Sequence, residues 1–319
     1  MRKITSLTAA ACALAIAAPL AAQETQQQTQ EQPSVGRQIL DRIVNSVLGP
    51  AQQPAQQDTQ QPVATTAAAQ LQAALAAPRR DQDRARDQYR HPAETLSFFR
   101  VQPGMTVVDF MPAGGWYSRV LIPYLGQSGT YVGLNPKIDP DTTGYMTMYA
   151  NAASRIPADA RQWVGNEGAR VIGLNTDDET LASYANSADR VLIFREMHNM
   201  RRAGWLHDTM VAARTLLKPD GLLGIVQHRA PANAPSAYVL GDNGYQREAD
   251  VIALMSAYGF DLVDRSEINA NPADPANWEG GVWSLPPSYR GAEEGSAERA
   301  RRAQIGESDR MTLLFRKRP

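Results

Sequence analysis

Polar side chains of the kind used in catalysis follow or precede four apolar segments of the sequence. Asp109 ends the first segment, Glu196 and His198 follow the second, His228 follows the third, and Arg310 precedes the last. A carboxylate or an imidazole can take up a proton near neutral pH, and a guanidinium binds anions. If the segments are strands of one largely parallel sheet, these side chains meet at its carboxyl edge, where such sheets bind ligands. The pattern predicts one site that combines proton transfer with anion binding.

His198 is the first candidate for a general base, because its ordinary pKa suits proton transfer near neutrality, and Glu196 is the second. The alternative for His198 is a structural, hydrogen-bonded histidine. His228 and Arg229 are candidates for binding an anionic substrate group. The arginines of these segments have an alternative too, which is pairing with neighbouring carboxylates in a structural ion network.

The segment after the first predicted strand has the composition of a ligand-binding turn. It runs from Asp109 through Gly114 and Gly115, which permit close backbone approach and unusual dihedral angles, into a predicted helix. The dinucleotide pattern G-x-G-x-x-G is absent and no P-loop Gly-Lys-Ser/Thr follows, which disfavours NAD or FAD and excludes a P-loop. A plain strand-to-helix loop is the alternative.

Two further polar positions belong to the same nucleotide-binding hypothesis. Asn135 stands about 20 residues beyond the turn, where nucleotide-binding sheets often place an acid for the ribose hydroxyls. An amide both donates and accepts, so ribose contact remains possible there. Asp177, after the third predicted strand, either faces an adenine amino group or caps the next helix.

Apolar segments alternate with helical patterns from Ala93 onward. Strands are predicted at residues 106–110, 130–134, 170–174, 189–194, 222–227, 261–266 and 311–315. Helices are predicted at residues 93–99, 116–125, 205–217 and 248–258. This order predicts an α/β fold with a doubly wound, mostly parallel sheet that is covered on both faces. No helical period links the last two strands, so we expect a hairpin-like, antiparallel end to the sheet.

The N-terminus has the pattern of a secretory signal peptide. Arg2 and Lys3 precede a short apolar stretch that ends in small residues, and cleavage is expected after Ala22. An uncleaved membrane anchor is the alternative. The single cysteine, Cys12, leaves with this segment, which excludes a disulfide framework and a cysteine-ligated zinc site. We expect an exported protein, periplasmic in a cell with two membranes, whose mature chain has no transmembrane span.

Residues 23–78 are predicted to be a Gln- and Ala-rich disordered tether, and residues 79–319 a single domain. Residues 23–62 contain 13 glutamines, and the first aromatic residue of the chain is Tyr89. A short amphipathic helix is predicted at 35–48, which either makes a weak contact with the domain, a partner or the envelope, or forms only transiently. The run from Arg79 to Arg90 is interpreted as a solvated helix face, and its part from Arg84 to Arg90, with His91, alternatively as a lid over the ligand.

Composition and spacing exclude several other functions. The formal net charge of −1 disfavours a broadly basic nucleic-acid binder. No H-x-x-x-H or H-E-x-x-H spacing supports a metal site, and no G-x-S-x-G supports a nucleophilic hydrolase. Trp283 belongs to a Pro- and Trp-rich insertion at residues 269–304, and it either walls a substrate pocket or packs the insertion onto the sheet.

Five stretches of the sequence resemble those of a family of bacterial predicted class I S-adenosylmethionine-dependent methyltransferases, proteins that are often exported. The stretches are 109–117, 194–199, 224–230, 266–272 and 305–312. The resemblance covers roughly residues 86–319 and implies a seven-stranded doubly wound sheet with a reversed final strand. It also implies S-adenosyl-L-methionine as cofactor and methyl transfer to an unidentified small molecule. Met111 and Ala113 replace glycines of the usual G-x-G-x-G, and Asn135 replaces the usual acid.

The resemblance and the strand ends together give three sets of candidate residues. The cofactor-binding candidates are Asp109, Pro112, Ala113, Gly114, Gly115, Trp116, Tyr117, Asn135, Asp177 and Arg195. The catalytic candidates are His198 and Glu196, and the substrate-binding candidates are His228, Arg229, Trp283 and Arg310. The altered glycine turn and Asn135 favour an alternative, an exported binding module that keeps the fold without transferring a methyl group.

Overall fold

The computed structural model describes residues 63–139, 141, 149 and 152–319. Within this part of the chain, eight strands form one sheet whose main path has the order β3-β2-β1-β4-β5-β8-β7, with β6 paired to β5 outside it. The strands are β1 Thr106–Phe110, β2 Thr130–Asn135, β3 Arg170–Asn175, β4 Ala188–Phe194, β5 Leu217–Ala230, β6 Gln246–Arg247, β7 Phe260–Ser266 and β8 Arg310–Lys317.

The sheet is mostly parallel with a reversed last strand, as the sequence predicts. Strands β1 to β5 pair in parallel, whereas β8 inserts between β5 and β7 and runs antiparallel to both. The predicted bounds of β1 and β7 agree with the structure to within one residue. Strand β5 begins at Leu217 rather than Leu222, and its register against β4 shifts between Ala188 and Arg190.

Helices cover both faces of the sheet. They are α1 Val63–Ala76, α2 Asp87–Arg90, α3 Pro92–Phe98, α4 Ser118–Leu125, α5 Ala152–Val164, α6 Met197–Ala203, α7 Leu206–Leu216, α8 Glu248–Ala257 and α9 Ala297–Ile305. Val107 packs with residues of α1, α3, α4 and α5, and its neighbour Val108 packs with residues of α7 and α8. Successive strand residues point to opposite faces, so Asp109 lies on the α4 side, the side of Val107.

Helix α1 lies within the predicted tether. Leu71 and Ala74 are buried against the core on the α4 side, and Ala67 is buried too. Alanine is the best helix former, and these three residues recur at helical spacing on one face. The signal peptide, the Gln-rich part of the tether and the predicted helix at 35–48 lie outside the described residues. None of the helices described here is long and apolar enough to cross a membrane.

The Arg-rich run before β1 keeps the predicted solvated face at residues such as Arg84 and Gln88, but its other face is packed against the domain. Arg80 and Arg90 are buried, and Asp83 is nearly so. Arg80 donates two hydrogen bonds to the carboxylate of Asp87, at 2.7 and 2.9 Å, and its guanidinium lies 4.9 Å from the Trp116 ring centroid. Ion pairs and an aromatic surface therefore replace the solvent that this composition normally requires.

The insertion before β8 forms a third, smaller hydrophobic cluster. Tyr245, Leu285 and Trp278 are buried in it, and Trp283 packs at its margin. The Tyr245 hydroxyl and the Trp278 indole both donate to the carboxylate of Asp274, at 2.8 and 2.9 Å. The insertion is thereby fixed beside the carboxyl end of β5.

Candidate functional site

The turn between β1 and α4 has a left-handed backbone at alternate residues. Met111 and Ala113 have φ of 49°, and Gly115 has φ of 75°. These are the three positions of the G-x-G-x-G pattern, and two of them carry side chains that disfavour this conformation by about 1–2 kcal/mol each. At Gly115 a Cβ would lie 2.7 Å from the Trp163 ring. The backbone shape of a glycine turn is therefore kept although two glycines are absent.

Two cavities flank this turn and share Pro112, Ala113 and Gly114. The first, the β2-side cavity, has a volume of about 490 Å³ and also contacts Asn135, Tyr149, Ala152, Arg155, Ile156 and Asp159. The second, the β4-side cavity, has a volume of about 320 Å³. It is further lined by Asp83, Arg86, Arg90, Asp109, Phe110, Met111, Trp116, Tyr117, Arg119, Phe194, Arg195 and Glu196. A ligand bound across the turn contacts the ends of β1, β2 and β4.

Asn135 supplies an unused amide to the β2-side cavity. It is the last residue of β2 and only 1% exposed, and neither Nδ2 nor Oδ1 has a hydrogen-bond partner in the described structure. A buried polar atom without a partner costs about 1–3 kcal/mol. An amide donates and accepts at once, so its natural complement is a group that also does both, such as a hydroxyl or a pair of hydroxyls.

Asp109 supplies a buried carboxyl to the β4-side cavity. The Tyr131 hydroxyl donates to it at 2.9 Å and also lies 2.8 Å from the Ser118 hydroxyl. Burial raises the pKa of Asp109 to about 7, the hydrogen bond from Tyr131 opposes this rise, and the charge of Glu196 adds to it. Near neutral pH this carboxyl is poised to ionise when a cation enters the cavity.

Glu196 is the second carboxyl of this cavity. Burial raises its pKa to about 7, and the Asn199 amide donates to it at 2.7 Å. Asn199 in turn accepts a hydrogen bond from Arg202 at 2.7 Å, which fixes the orientation of the amide. A carboxyl whose pKa lies near 7 exchanges a proton readily at neutral pH, which is the property of a general acid or base.

His198 lies behind this cavity in a histidine pair. Its ring centroid is 5.5 Å from that of His228, and its Nδ1 is 3.5 Å from the Gln227 amide nitrogen. Burial and then the charge of Arg202 lower the pKa of His198 to about 3. The pKa of His228 is also lowered by burial, and its Nδ1 is 2.6 Å from the Ser308 hydroxyl. Both imidazoles are therefore neutral at physiological pH.

Three arginines share the carboxylate of Glu307, and two of them, Arg86 and Arg90, line the same cavity. Arg90 donates to it from the end of α2 and Arg86 from the turn before α2. Arg310 donates to it from the start of β8 at 2.7 Å. Burial works to raise the pKa of Glu307, but the guanidiniums of Arg310 and Arg90 outweigh it and lower the pKa to about 2. Glu307 is therefore ionised at all ordinary pH values.

The aromatic and arginine candidates of the turn meet in the β4-side cavity. The rings of Tyr117 and Phe194 stack at 3.6 Å with an angle of 9° between their planes, and Trp116 meets Tyr117 edge-on at 4.7 Å. Arg195 follows β4 with φ of 64°, and its backbone N–H donates to the Val226 carbonyl at 2.7 Å. These side chains form one wall beside the two carboxyls.

Three candidate residues lie elsewhere. Asp177 is exposed and pairs with Lys137 at 2.9 Å. The guanidinium of Arg229 is held by three carboxylates, those of Asp309, Glu267 and Glu248. Trp283 lies at a separate cavity of about 660 Å³ that also contacts Asn199, Arg202, Ala203, Trp205, Ser288 and Arg290. In this structure these three residues do not line the cavities beside the turn.

Sequence reasoning missed the contribution of the Arg-rich run to the site. Arg86 and Arg90 line the β4-side cavity, and Asp83 lines it while accepting two hydrogen bonds from Arg119 at 2.6 and 2.7 Å. The available signal was the position of the run just before β1, which suggested a lid. The residues that would bind the ligand were not identified, because alternating Arg and Asp residues are typical of solvated surfaces.

Comparison with known proteins gives distant similarities only among solved structures. No protein-family model and no curated protein matches the chain. The chain is similar to a SAM-dependent methyltransferase from Aquifex aeolicus, with 17% identity and a TM-score of 0.43 over 63% of this chain and 93% of that one. It is also similar to geranyl diphosphate C-methyltransferase from Streptomyces coelicolor A3(2), with 15% identity and a TM-score of 0.45 over 77% and 87% of the two chains.

A third structure is the 1,6-didemethyltoxoflavin-N1-methyltransferase of Burkholderia thailandensis, with 14% identity and a TM-score of 0.41 over 80% of this chain and 88% of that one. These similarities are distant. The fold class rests on the strand order and the reversed β8, which define a Rossmann-like class I methyltransferase fold.

Proposed function

We propose that the protein is an S-adenosylmethionine-dependent methyltransferase that acts on a small molecule. The observation that carries this proposal is Asn135. Its amide is buried and unpartnered at the end of β2, beside a turn held in a strained backbone. In a doubly wound sheet this is where a nucleotide's ribose lies, and the ribose hydroxyls both donate and accept.

The residues around the turn fit the parts of this cofactor. Asn135 would hold the ribose hydroxyls. The backbone of residues 112–114, which line both cavities, would contact the cofactor where it passes from one cavity to the other. Asp109 and Glu196 would face the cationic part, since cations stabilise the ionised form of a carboxyl whose pKa is raised by burial. S-adenosylmethionine supplies a methyl group on a positively charged sulfur.

Glu196 is the better placed of the two proposed bases. It lines the β4-side cavity, and its pKa of about 7 suits removal of a proton from an oxygen or nitrogen nucleophile. His198 lies behind the cavity wall with its pKa lowered to about 3, so it is a poor proton acceptor at neutral pH. In the proposal it packs beside His228 as a neutral side chain.

Calorimetric titration of the full chain with S-adenosylhomocysteine tests the proposal. We expect Asn135→Leu to weaken binding about tenfold or more, because one or two hydrogen bonds to the ribose are lost. Its stability without ligand should stay equal or rise, because Leu is similar in size and leaves no unpaired amide. Asn233→Leu is the matched control, since Asn233 is exposed and away from both cavities.

The proposal fails if the wild-type chain does not bind S-adenosylhomocysteine at millimolar concentration. That result would favour the alternative of a binding module that keeps the fold without methyl transfer. Equal binding by wild type and Asn135→Leu would show that the cofactor binds but that Asn135 does not contribute to its binding.

A further inference from the structure

Arg90 brings an unpartnered guanidinium into the β4-side cavity. The residue is 2% exposed and lines the cavity, and its Nε donates to Glu307 at 3.2 Å. Neither of its two terminal nitrogens has a hydrogen-bond partner in the described structure. The guanidinium lies 4.7 Å from the Trp116 ring centroid, so the aromatic ring supports it. The part of the side chain that remains free is the fork that normally binds an oxyanion.

Positive charge exceeds negative charge around this fork. Arg86, Arg90 and Arg310 share the single carboxylate of Glu307, and Arg195 is close enough to Arg90 to lower its pKa. Burial is the larger cause of that lowering. A buried charge without a full set of partners is unfavourable, so the ligand-free site holds a cation that an anion would stabilise.

The geometry of the free group selects the anion. A guanidinium offers two parallel N–H bonds in a plane, which match the two oxygens of a carboxylate or of a phosphate group. Trp116 on one side restricts rotation of that plane and thereby prepares it for binding. A single-atom anion such as chloride uses only part of this fork.

The lining of the β4-side cavity contains both kinds of charged group. Asp109 and Glu196 are its carboxyls with raised pKa, and Arg90 is a guanidinium whose two terminal nitrogens have no partner in the described structure. A cationic ligand group is therefore favoured at the carboxyls, and an anionic one at Arg90.

We propose that Arg90 binds an oxyanion of the acceptor, a carboxylate or phosphate group, so that the substrate is an anionic small molecule. This rests on the proposed function, in which the cofactor places its cationic part at Asp109 and Glu196. Another possible source of an oxyanion is the cofactor's own carboxylate, and the experiment separates the two sources.

Sulfate is the first probe, because it is an oxyanion with no cofactor chemistry. Thermal unfolding of the full chain is followed in sulfate and in chloride at equal ionic strength. We expect sulfate to stabilise the wild type more than it stabilises Arg90→Met, in which only the general stabilising effect of sulfate on folded proteins remains. Without sulfate, Arg90→Met should unfold near the wild-type temperature, since it removes a buried charge whose two terminal nitrogens have no partner, and Glu307 keeps Arg86 and Arg310.

Arg301→Met is the matched control, because Arg301 is exposed, pairs with Glu298, lies over the Trp278 ring and lines neither of the two cavities beside the turn. It should retain the full sulfate response. A wild type that gains no more stability from sulfate than Arg90→Met does overturns the proposal. So does an Arg90→Met variant that is destabilised in chloride and responds to sulfate as strongly as the wild type, because Arg90 would then be a structural residue.

Decarboxylated S-adenosylmethionine is the second probe, compared with S-adenosylmethionine by calorimetric titration. We expect Arg90→Met to leave the ratio of the two affinities unchanged, and sulfate to bind equally well when S-adenosylhomocysteine saturates the protein. If Arg90→Met weakens only the carboxylated cofactor, about tenfold or more, Arg90 binds the cofactor and the proposal is wrong. A wild type that binds sulfate at Arg90 but neither cofactor form overturns the proposed function instead.

Discussion

Replacement of Asp109 by Asn should change the pH dependence of stability. The buried carboxyl has its pKa raised from 3.8 to about 7, so the folded state holds a proton that the unfolded state releases between these values. Stability is therefore lost as pH rises through this range, opposite to the usual behaviour of a paired carboxylate. From pH 5 to pH 7 the loss is about 2–3 kcal/mol, because each pH unit contributes at most about 1.4 kcal/mol.

Asn has the shape of Asp and can still accept the hydrogen bond from Tyr131, but it does not titrate. Urea denaturation of wild type and Asp109→Asn at pH 5 and pH 8 measures the effect. We expect the variant to gain about 2–3 kcal/mol over the wild type between the two pH values. Removal of the Asp109 charge also lowers the pKa of Glu196 towards its ordinary value. This too makes the variant lose less stability than the wild type as pH rises. A stability difference between the two proteins that is equal at both pH values would refute a raised pKa at Asp109.

Three further outcomes are expected. Ala113→Gly should raise the free energy of unfolding by about 0.5–1 kcal/mol in urea denaturation, because glycine accepts the left-handed backbone. Gly114→Ala should change it little, because a Cβ at that position meets nothing within 4 Å. A destabilised Ala113→Gly would show that the turn is not strained. Glu307→Gln should lower the free energy of unfolding by about 3–5 kcal/mol, since three arginines share that carboxylate. Its Tm should fall well below that of Glu298→Gln, because the carboxylate of Glu298 is more exposed. Equal melting temperatures of the two variants would contradict this. The His198 ring resonances should not titrate between pH 5 and pH 8 in NMR, and a midpoint near 6.5 would contradict its buried, neutral state.

Local composition was enough to predict most of the sheet. Strand β1 was predicted at its observed bounds, Thr106–Phe110, because a run of apolar residues lies between a Pro-Gly turn and a small-residue turn. The reversed β8 was predicted correctly, but from a premise that is wrong: the sequence was expected to lack a helix between the last two strands, whereas α9 lies there. Helix α1 was not predicted, since an Ala-rich segment beside a Gln-rich one has little to mark which face is buried.

The site was predicted in its residue types and less well in its geometry. The sequence indicates that the turn after Asp109 and the segment after β4 belong together, and the structure places Asp109, Arg195 and Glu196 around one cavity. The sequence does not indicate a left-handed backbone at Ala113, because alanine prefers a negative φ.

Burial of the Arg-rich run depends on contacts made far along the chain. The partner of Arg86 and Arg90 is Glu307, more than 200 residues away in sequence. Local charge pattern carries no information about such a pair, so the placement of these two arginines at the cavity could not be predicted. The unpaired amide of Asn135 was likewise beyond prediction, because its lack of partners depends on the whole environment of β2.

The central claim is that the two cavities beside the turn bind S-adenosylmethionine. A crystal structure of the full chain with S-adenosylhomocysteine tests it most directly. The account predicts the ribose within hydrogen-bond distance of the Asn135 amide and the amino-acid part of the ligand in the β4-side cavity, next to Asp109. A ligand bound instead at the separate cavity beside Trp283, or no bound ligand at saturating concentration, would contradict it.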